Sequence, residues 1–558
     1  MSFFECTDLK ELVPIPEPGT RSFADFYLEE IDKYPASFIV DGVSEEKLHF
    51  AEMASHIRVC SSNLLKKGYK KGDTICLMSK NCHNFIVALL AGSLSHVTIS
   101  PANPAYTGHE LLYQLDFSDS NAVIVGSDQI GSLEDALKLA VEEKRNLDLK
   151  DIYVLNYNST VPATIQGIET KPFEHLLRTD NGSLMEAETS LDPKSDVWLL
   201  PFSSGTTGLP KGVALTHYNM LANIWQFVKY DPVFGLRSHH TLLAVLPMYH
   251  IYGLFCFALA APMNGANVVL LPEFNPVNFL LSIQKYRCSH VYIVPPLALF
   301  LGKDPRVKEY DLTSLIDVVS AAAPLAADVA SQAFESLQSQ GLRDFAIRQA
   351  WGMTELSPVG TAGRYKANDL DCFASIGDPI PFTQVKIVDL SSREVVPWGQ
   401  EGELCVKGPQ VMKGYFKNEE ATRNTIDTEG WLLTGDIAKV NEKKQMTITD
   451  RLKELIKTKG FQVAPAELEG ILLTHPAVQD CCVFGTPHDS LGEAPSACVV
   501  LKPGGGASRL PSEQELKAFV GQKVAPYKQL AGGVTFVDQI PKTASGKILR
   551  RVLRARFL

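Results

Sequence analysis

The sequence predicts an α/β protein. A large N-terminal domain of parallel or mixed sheets covered by helices, with a small β-barrel-like part, precedes a small α+β C-terminal domain. Three observations carry this. Short apolar runs alternate with amphipathic segments through the middle of the chain. From about Thr383 to Met412 the pattern changes to short strands and turns. A charge-rich junction, Asp450-Arg451-Leu452-Lys453-Glu454, then opens a segment of about a hundred residues, the size of a small separate domain.

The elements come in order along the chain. The most apolar stretch, Leu254 to Leu271, contains Pro262, Asn264 and Asn267. It falls short of the ~18 uninterrupted apolar residues of a membrane span and reads as core. At its end, Val268-Val269-Leu270-Leu271 predicts a strand, stopped by Pro272. Phe279, Ile283 and Tyr286 then recur at helical spacing, and Val291-Tyr292-Ile293-Val294 predicts a further strand closed by Pro295-Pro296. This is a βαβ rhythm. Ile316-Asp317-Val318-Val319 and the Ala-rich segment from Ala326 repeat it. Gln384-Val385-Lys386-Ile387-Val388 alternates polar and apolar, and Gly399, Gly402 and Gly408 punctuate the next stretch of chain. Val478 to Phe484 and Ala497 to Leu501 are the strand-like runs of the last part, and Gly504-Gly505-Gly506 is a loop within it. The expected boundary near Lys453 divides the chain into residues 1–450 and 451–558.

Composition narrows the function classes. The 558 residues are 45% hydrophobic and 21% charged, as in ordinary globular proteins. Lys and Arg number 53 against 63 Asp and Glu, a formal charge of −10. Such a balance argues against nucleic-acid binding and against electrostatic membrane binding. The 11 cysteines are scattered, with Cys481-Cys482 as the one close pair and no C-x-x-C. That spacing reads as reduced thiols and leads us to expect a cytoplasmic protein. Met1 to Pro18, with Glu5, Asp8 and Glu11, has the pattern of neither a secretory signal nor a transit peptide. Arg556-Phe557-Leu558 shares only its Leu with a peroxisomal S-K-L address.

Four segments carry candidate chemistry. The first is Ser203-Ser204-Gly205-Thr206-Thr207-Gly208-Leu209-Pro210-Lys211-Gly212-Val213, after the apolar run Val197-Trp198-Leu199-Leu200. Glycines let a backbone approach an anion, successive N–H groups form a nest, and hydroxyls and one Lys add donors and charge. This chemistry suits a polyphosphate, but the loop lacks the Walker A spacing. The second is Gln349-Ala350-Trp351-Gly352-Met353-Thr354-Glu355. Its aromatic can stack on a base, its Thr can donate to a phosphate and its carboxylate can hold Mg²⁺; a strand end with a buried Trp fits the same residues. The third is Trp431-Leu432-Leu433-Thr434-Gly435-Asp436, whose Asp can chelate a ribose diol or simply complete a turn. The fourth is Pro541-Lys542-Thr543-Ala544-Ser545-Gly546-Lys547, where one Lys follows a Gly turn and can be delivered to a carboxylate and a phosphate together. The adjoining Arg550-Arg551-Val552-Leu553-Arg554 would suit nucleic acid, but the acidic balance of the chain opposes that.

These motifs, in this order, resemble the adenylate-forming superfamily of acyl-CoA synthetases, peptide-synthetase adenylation domains and beetle luciferases. Leu246-Pro247-Met248-Tyr249-His250, Ser320-Ala321-Ala322-Ala323-Pro324, Gly402-Glu403-Leu404 and Asp450 to Glu469 extend the match over nearly the whole chain. Leu452 to Lys457 and Lys459 to Glu467 look most like 4-coumarate–CoA ligases and their acyl-CoA ligase relatives. The resemblance implies two half-reactions: a carboxylic acid and ATP give acyl-AMP and pyrophosphate, and the thiol of CoA then takes the acyl group. By resemblance, Ser203, Ser204, Gly205, Thr206, Thr207 and Gly208 with Lys211 hold the β- and γ-phosphates. Gln349, Trp351, Gly352 and Thr354 belong to the adenine and AMP site, with Trp where the family usually has Tyr. Glu355 binds Mg²⁺, and Asp436, with Arg451 nearby, holds the ribose. Lys547 bridges the carboxylate and the α-phosphate. The small domain turns about Lys453, withdrawing Lys547 and presenting Lys457, Lys459, Gly460 and Gln462 for the CoA step.

His250 would gate the acyl pocket, which Tyr252, Ala321, Ala350, Pro358 and Val359 would line. Relatives that take aromatic acids often have Gly at Ala321 and Ala350, so two methyl groups narrow this pocket. One methylene is worth only ~1–3 kcal/mol of selectivity, so an aryl-propenoic acid and a medium- or long-chain fatty acid both stay open. A luciferase-like oxidation of the adenylate is the alternative function, since luciferases share these motifs. The expected partners are ATP, CoA and a small carboxylic acid, with the protein a monomer or homodimer.

Overall fold

The computed structural model describes residues 12–179, 183–188, 190–203, 210–230, 235–364, 373–452, 454–458, 461–488, 491–502, 510–543 and 548–557, together with strand Phe4–Glu5. Ser204 to Gly208, Lys453, Lys459, Gly460 and Lys547 lie outside the described residues. The chain forms a mixed α/β fold with a large N-terminal part and a smaller α+β C-terminal part, with four sheets among the described residues.

Strand Asn267–Leu270, helix Pro276–Tyr286 and strand His290–Ile293 follow the predicted rhythm. Pro276 opens the helix and Asn275 caps it, accepting from the N–H groups of Val277 and Asn278. Phe279 and Ile283 bury its inner face. The two strands are not neighbours. Strand Thr241–Ala244 lies between them, parallel to both. They belong to a nine-stranded sheet whose parallel centre continues through Asp317–Ser320 and Ala346–Gly352. Antiparallel Val359–Ala362 then pairs with Ala346–Gly352. A ten-stranded sheet, parallel at its centre, carries strands Phe202–Ser203 and Lys211–Thr216 at one side. Leu254 to Met263 is buried throughout as a π-helical stretch and a short α-helix, which fits the core reading.

The β-barrel-like part is a five-stranded antiparallel sheet in which Gln384–Val388, Gly402–Lys407, Leu432–Val440 and Met446–Arg451 follow Phe4–Glu5. Its ladder runs in one path, with no closing pair among the described residues. The chain leaves this sheet at Arg451 and enters the C-terminal sheet at Ile456. There Val478–His488 and Gly492–Leu501 form a long hairpin, and helix Pro465–Leu473 packs on it. Nine described cysteines are free, Cys481 and Cys482 buried among them.

Candidate active site

Ser203 ends one strand and Lys211 begins the next, and the two are register partners in an antiparallel pair. The ends of the candidate phosphate loop are therefore held side by side. The Ser203 hydroxyl donates to Glu355 Oε1 at 3.3 Å. Glu355 is buried on the short 3₁₀ turn Thr354–Leu356 that follows strand Ala346–Gly352. Two motifs about 150 residues apart in sequence, 152 by this bond, thus converge on one carboxylate.

Sequence reasoning missed a third member. The Tyr415 hydroxyl donates to the same Glu355 oxygen at 2.8 Å, and Lys211 Nζ lies 4.6 Å from the centre of its ring. Tyr415 reaches this place because strand Gly414–Tyr415 pairs with Lys211–Thr216. Burial and the Glu355 charge push its phenol well up, so it is a neutral donor at neutral pH.

A second group forms about Asp436. Trp351 Nε1 donates to Asp436 Oδ2 at 2.8 Å, and Arg451 Nε meets Asp436 Oδ1 at 3.1 Å. Asp436 and Arg451 are themselves register partners across adjacent strands. A carboxylate offers about four lone-pair positions, so two remain after these bonds, enough for two vicinal hydroxyls. The indole packs on Gly360, where a methyl group would lie 2.5 Å from Cζ3. Gly352 is equally constrained, since its own Cβ would fall 2.1 Å from the carbonyl of Pro358. Trp351, Asp436 and Arg451 line a cleft of about 660 Å³ together with Ala322, Ala350, Glu454 and Arg550.

The other expected residues take varied places. The Gln349 side chain turns to backbone: it accepts from Leu325 N at 2.9 Å and donates to Leu325 O at 3.1 Å and to Phe373 O. It pins the Ala-rich segment behind strand Asp317–Ser320. Ala321 and Ala350 lie at the same ends of adjacent parallel strands. Tyr252 is half-buried, and its hydroxyl donates to the carbonyls of Ile293 and Val319 at 3.3 and 3.4 Å. His250 is the N-cap residue of the turn Ile251–Gly253, its ring 4.5 Å from that of Tyr249. Val359 N donates to Asn223 Oδ1, and the Pro358 carbonyl accepts from Met353 N, each at 3.0 Å. Exposed Lys457 is the cross-strand partner of Gln462.

This two-part α/β architecture, with hydroxyl, Lys and carboxylate joined in one group and indole, carboxylate and guanidinium in another, is that of a nucleotide-binding enzyme. The chain belongs to the AMP-binding enzyme family: that family matches residues 29–416, and the AMP-binding enzyme C-terminal domain matches residues 467–547. It is 36% identical over 531 residues to the probable 4-coumarate–CoA ligase 1 of Dictyostelium discoideum, covering 92% of this chain and 91% of that one. It is also 36% identical to 4-coumarate–CoA ligase 1 of Petroselinum crispum, over 93% and 91% of the two chains. Among solved structures it resembles ATP-bound MatB from Rhodopseudomonas palustris, with a TM-score of 0.81, 25% identity, and 96% and 99% coverage. Among the described residues no helix is long and apolar enough to cross a membrane.

Proposed function

We propose that this chain is an ATP-dependent carboxylic acid–CoA ligase that works through an acyl-adenylate. The observation that carries this reading is the bond chain Trp351–Asp436–Arg451 beside the Ser203–Glu355–Tyr415–Lys211 group. One offers a ring face and a diol acceptor; the other offers cation, hydroxyls and carboxylate for a polyphosphate. The similarity to 4-coumarate–CoA ligases supports the same reading.

In the proposed first step the substrate carboxylate attacks the α-phosphorus of ATP. Pyrophosphate leaves, held by the loop of Ser203, Ser204, Gly205, Thr206, Thr207 and Gly208 with Lys211. Lys547 would neutralise the charge that builds between carboxylate and α-phosphate. Glu355 suits Mg²⁺, because it is a buried hard oxygen donor whose two bonds above both fall on Oε1. Such an ion, when bound, neutralises phosphate charge. In the second step the CoA thiolate attacks the acyl carbon, AMP leaves, and the thioester forms. Lys457, Lys459, Gly460 and Gln462 would serve that step after the part beyond Lys453 has turned, which also keeps water from the mixed anhydride.

His250, Tyr252, Ala321, Ala350, Pro358 and Val359 would form the acyl pocket. Purified protein with ATP, Mg²⁺, CoA and a panel of 4-coumaric, benzoic, hexanoic and palmitic acids tests this. Acid-dependent pyrophosphate release is the expected result; none with any acid contradicts it.

A further inference from the structure

The Arg run at 550–554 has no part in the reaction above, yet its first member is turned inward. Arg550 opens helix Arg550–Phe557. Its Nε donates to Val483 O at 3.1 Å, Nη1 to Glu454 Oε2 at 2.5 Å, and Nη2 to both Glu469 oxygens at 2.8 and 2.6 Å. Glu469 is itself fixed, since Oε1 accepts from Val483 N at 2.7 Å. One guanidinium thus joins three separate pieces of the C-terminal part. A Lys ammonium, whose three donors sit on one nitrogen, cannot span them.

Two further sets of bonds lead away from Arg550. On one side, Lys542 forms an antiparallel bridge with Ile548, Leu549 N donates to Pro541 O at 2.9 Å, and Lys542 Nζ pairs with Asp480 at 2.7 Å. The two ends of the stretch that holds Lys547 are therefore joined next to Arg550. On the other side, Glu454 N donates to Arg451 O at 2.9 Å, and Arg451 pairs with Asp436, which holds Trp351. An unbroken path of bonds runs from Trp351 through Asp436, Arg451 and Glu454 to the base of the C-terminal helix.

We propose that Arg550 is a positioning residue that makes Glu454 part of the rigid C-terminal body, confining rotation to the residues just before it and passing it undamped to Lys547. This rests on the ligase reading. A half-buried, multiply hydrogen-bonded charge pair holds its geometry, whereas a free 454–455 segment would add slack to the placement of Lys547. Lys457 depends less on Arg550. Its own strand is held by the Gln462 register and by the bond from Lys457 N to Glu493 Oε2 at 2.8 Å.

The test uses the full chain and the panel acid with the greatest pyrophosphate release. Arg550→Lys and Glu454→Gln should each lower kcat for pyrophosphate release about tenfold with KM for ATP unchanged, a change in transition-state placement rather than binding. Thioester formation from supplied acyl-AMP should stay within about twofold. The double variant should be no slower than Arg550→Lys alone, because the two changes remove one link. Glu454→Gln loses a single contact and serves should Arg550→Lys fold poorly. Equal losses in both half-reactions, or an inert Glu454→Gln, would overturn the proposal. If the parent enzyme releases no pyrophosphate with any acid of the panel, the ligase reading fails, and hydrogen exchange then decides the coupling. Glu454→Gln should speed exchange in 451–456 and 548–552 together; faster exchange in 451–456 alone would overturn it.

Discussion

Trp351 would do two jobs with one side chain. In the proposed ligase its ring face would stack on a base, while its indole N–H donates to the Asp436 carboxylate at 2.8 Å. A Tyr or Phe ring would keep the first and lose the second. We predict that Trp351→Phe lowers kcat/KM for ATP on the order of tenfold, the weight of one hydrogen bond to a charged acceptor. Its preference for ATP over 2′-deoxy-ATP should shrink as well, because a loosened Asp436 discriminates the diol less. Pyrophosphate release with both nucleotides measures this, and unchanged discrimination would place Asp436 away from the ribose. The motif around Trp351 was legible from sequence; its bond to Asp436, 85 residues away, was not. Tyr415 was invisible for a related reason: a two-residue strand carries it to Lys211, and no local pattern marks it.

At the scale of elements, the strand pair Ala346–Gly352 and Val359–Ala362 sets how deep the indole sits. Gly360→Ala would place a methyl 2.5 Å from Cζ3 of Trp351, so the ring must shift outward. We expect a raised KM for ATP with the fold retained, read by pyrophosphate release beside near-ultraviolet circular dichroism.

A second element junction titrates. Asp450 is buried at the end of strand Met446–Arg451 and accepts from Ala466 N, in helix Pro465–Leu473, at 3.0 Å. Burial pushes its carboxyl up to about 7. The folded state therefore binds the proton more tightly than the unfolded chain. The stability contributed is full below the ordinary carboxylate range and is lost as pH rises through about 7. Asp450→Asn keeps an acceptor and removes the charge, so melting temperature should vary less between pH 5 and 8 than in the parent. A parent profile flat across that range would contradict this. The βαβ rhythm that revealed strands Asn267–Leu270 and His290–Ile293 could not reveal that Thr241–Ala244 inserts between them. Periodicity reports which face is buried, not which neighbour buries it. Likewise the Gly-rich loop announced itself through composition, while Arg550 read only as part of a basic run that the acidic balance of the chain argued against using on nucleic acid, and its three carboxylate and carbonyl partners were not legible.

At the scale of the whole molecule, the proposed mechanism has one cleft serve two reactions with different residues. Lys547→Ala should abolish acid-dependent pyrophosphate release while largely keeping thioester formation from supplied acyl-AMP. Lys457→Ala should show the opposite bias. Equal failure of both variants at both steps would remove the case for alternation about Lys453. The proposed acyl pocket is where whole-chain similarity says least: Ala321 and Ala350 would change its width by a methyl each, a difference too small in free energy to select an acid by inspection.

The most direct test of acyl-adenylate chemistry in this chain is the identity of the nucleotide product. Purified enzyme is incubated with ATP, Mg²⁺, CoA and the best acid of the panel, and products are separated by chromatography. The expected products are AMP, pyrophosphate and acyl-CoA in equal amounts, with no thioester when CoA is omitted. ADP and phosphate in place of AMP and pyrophosphate would contradict an acyl-adenylate route.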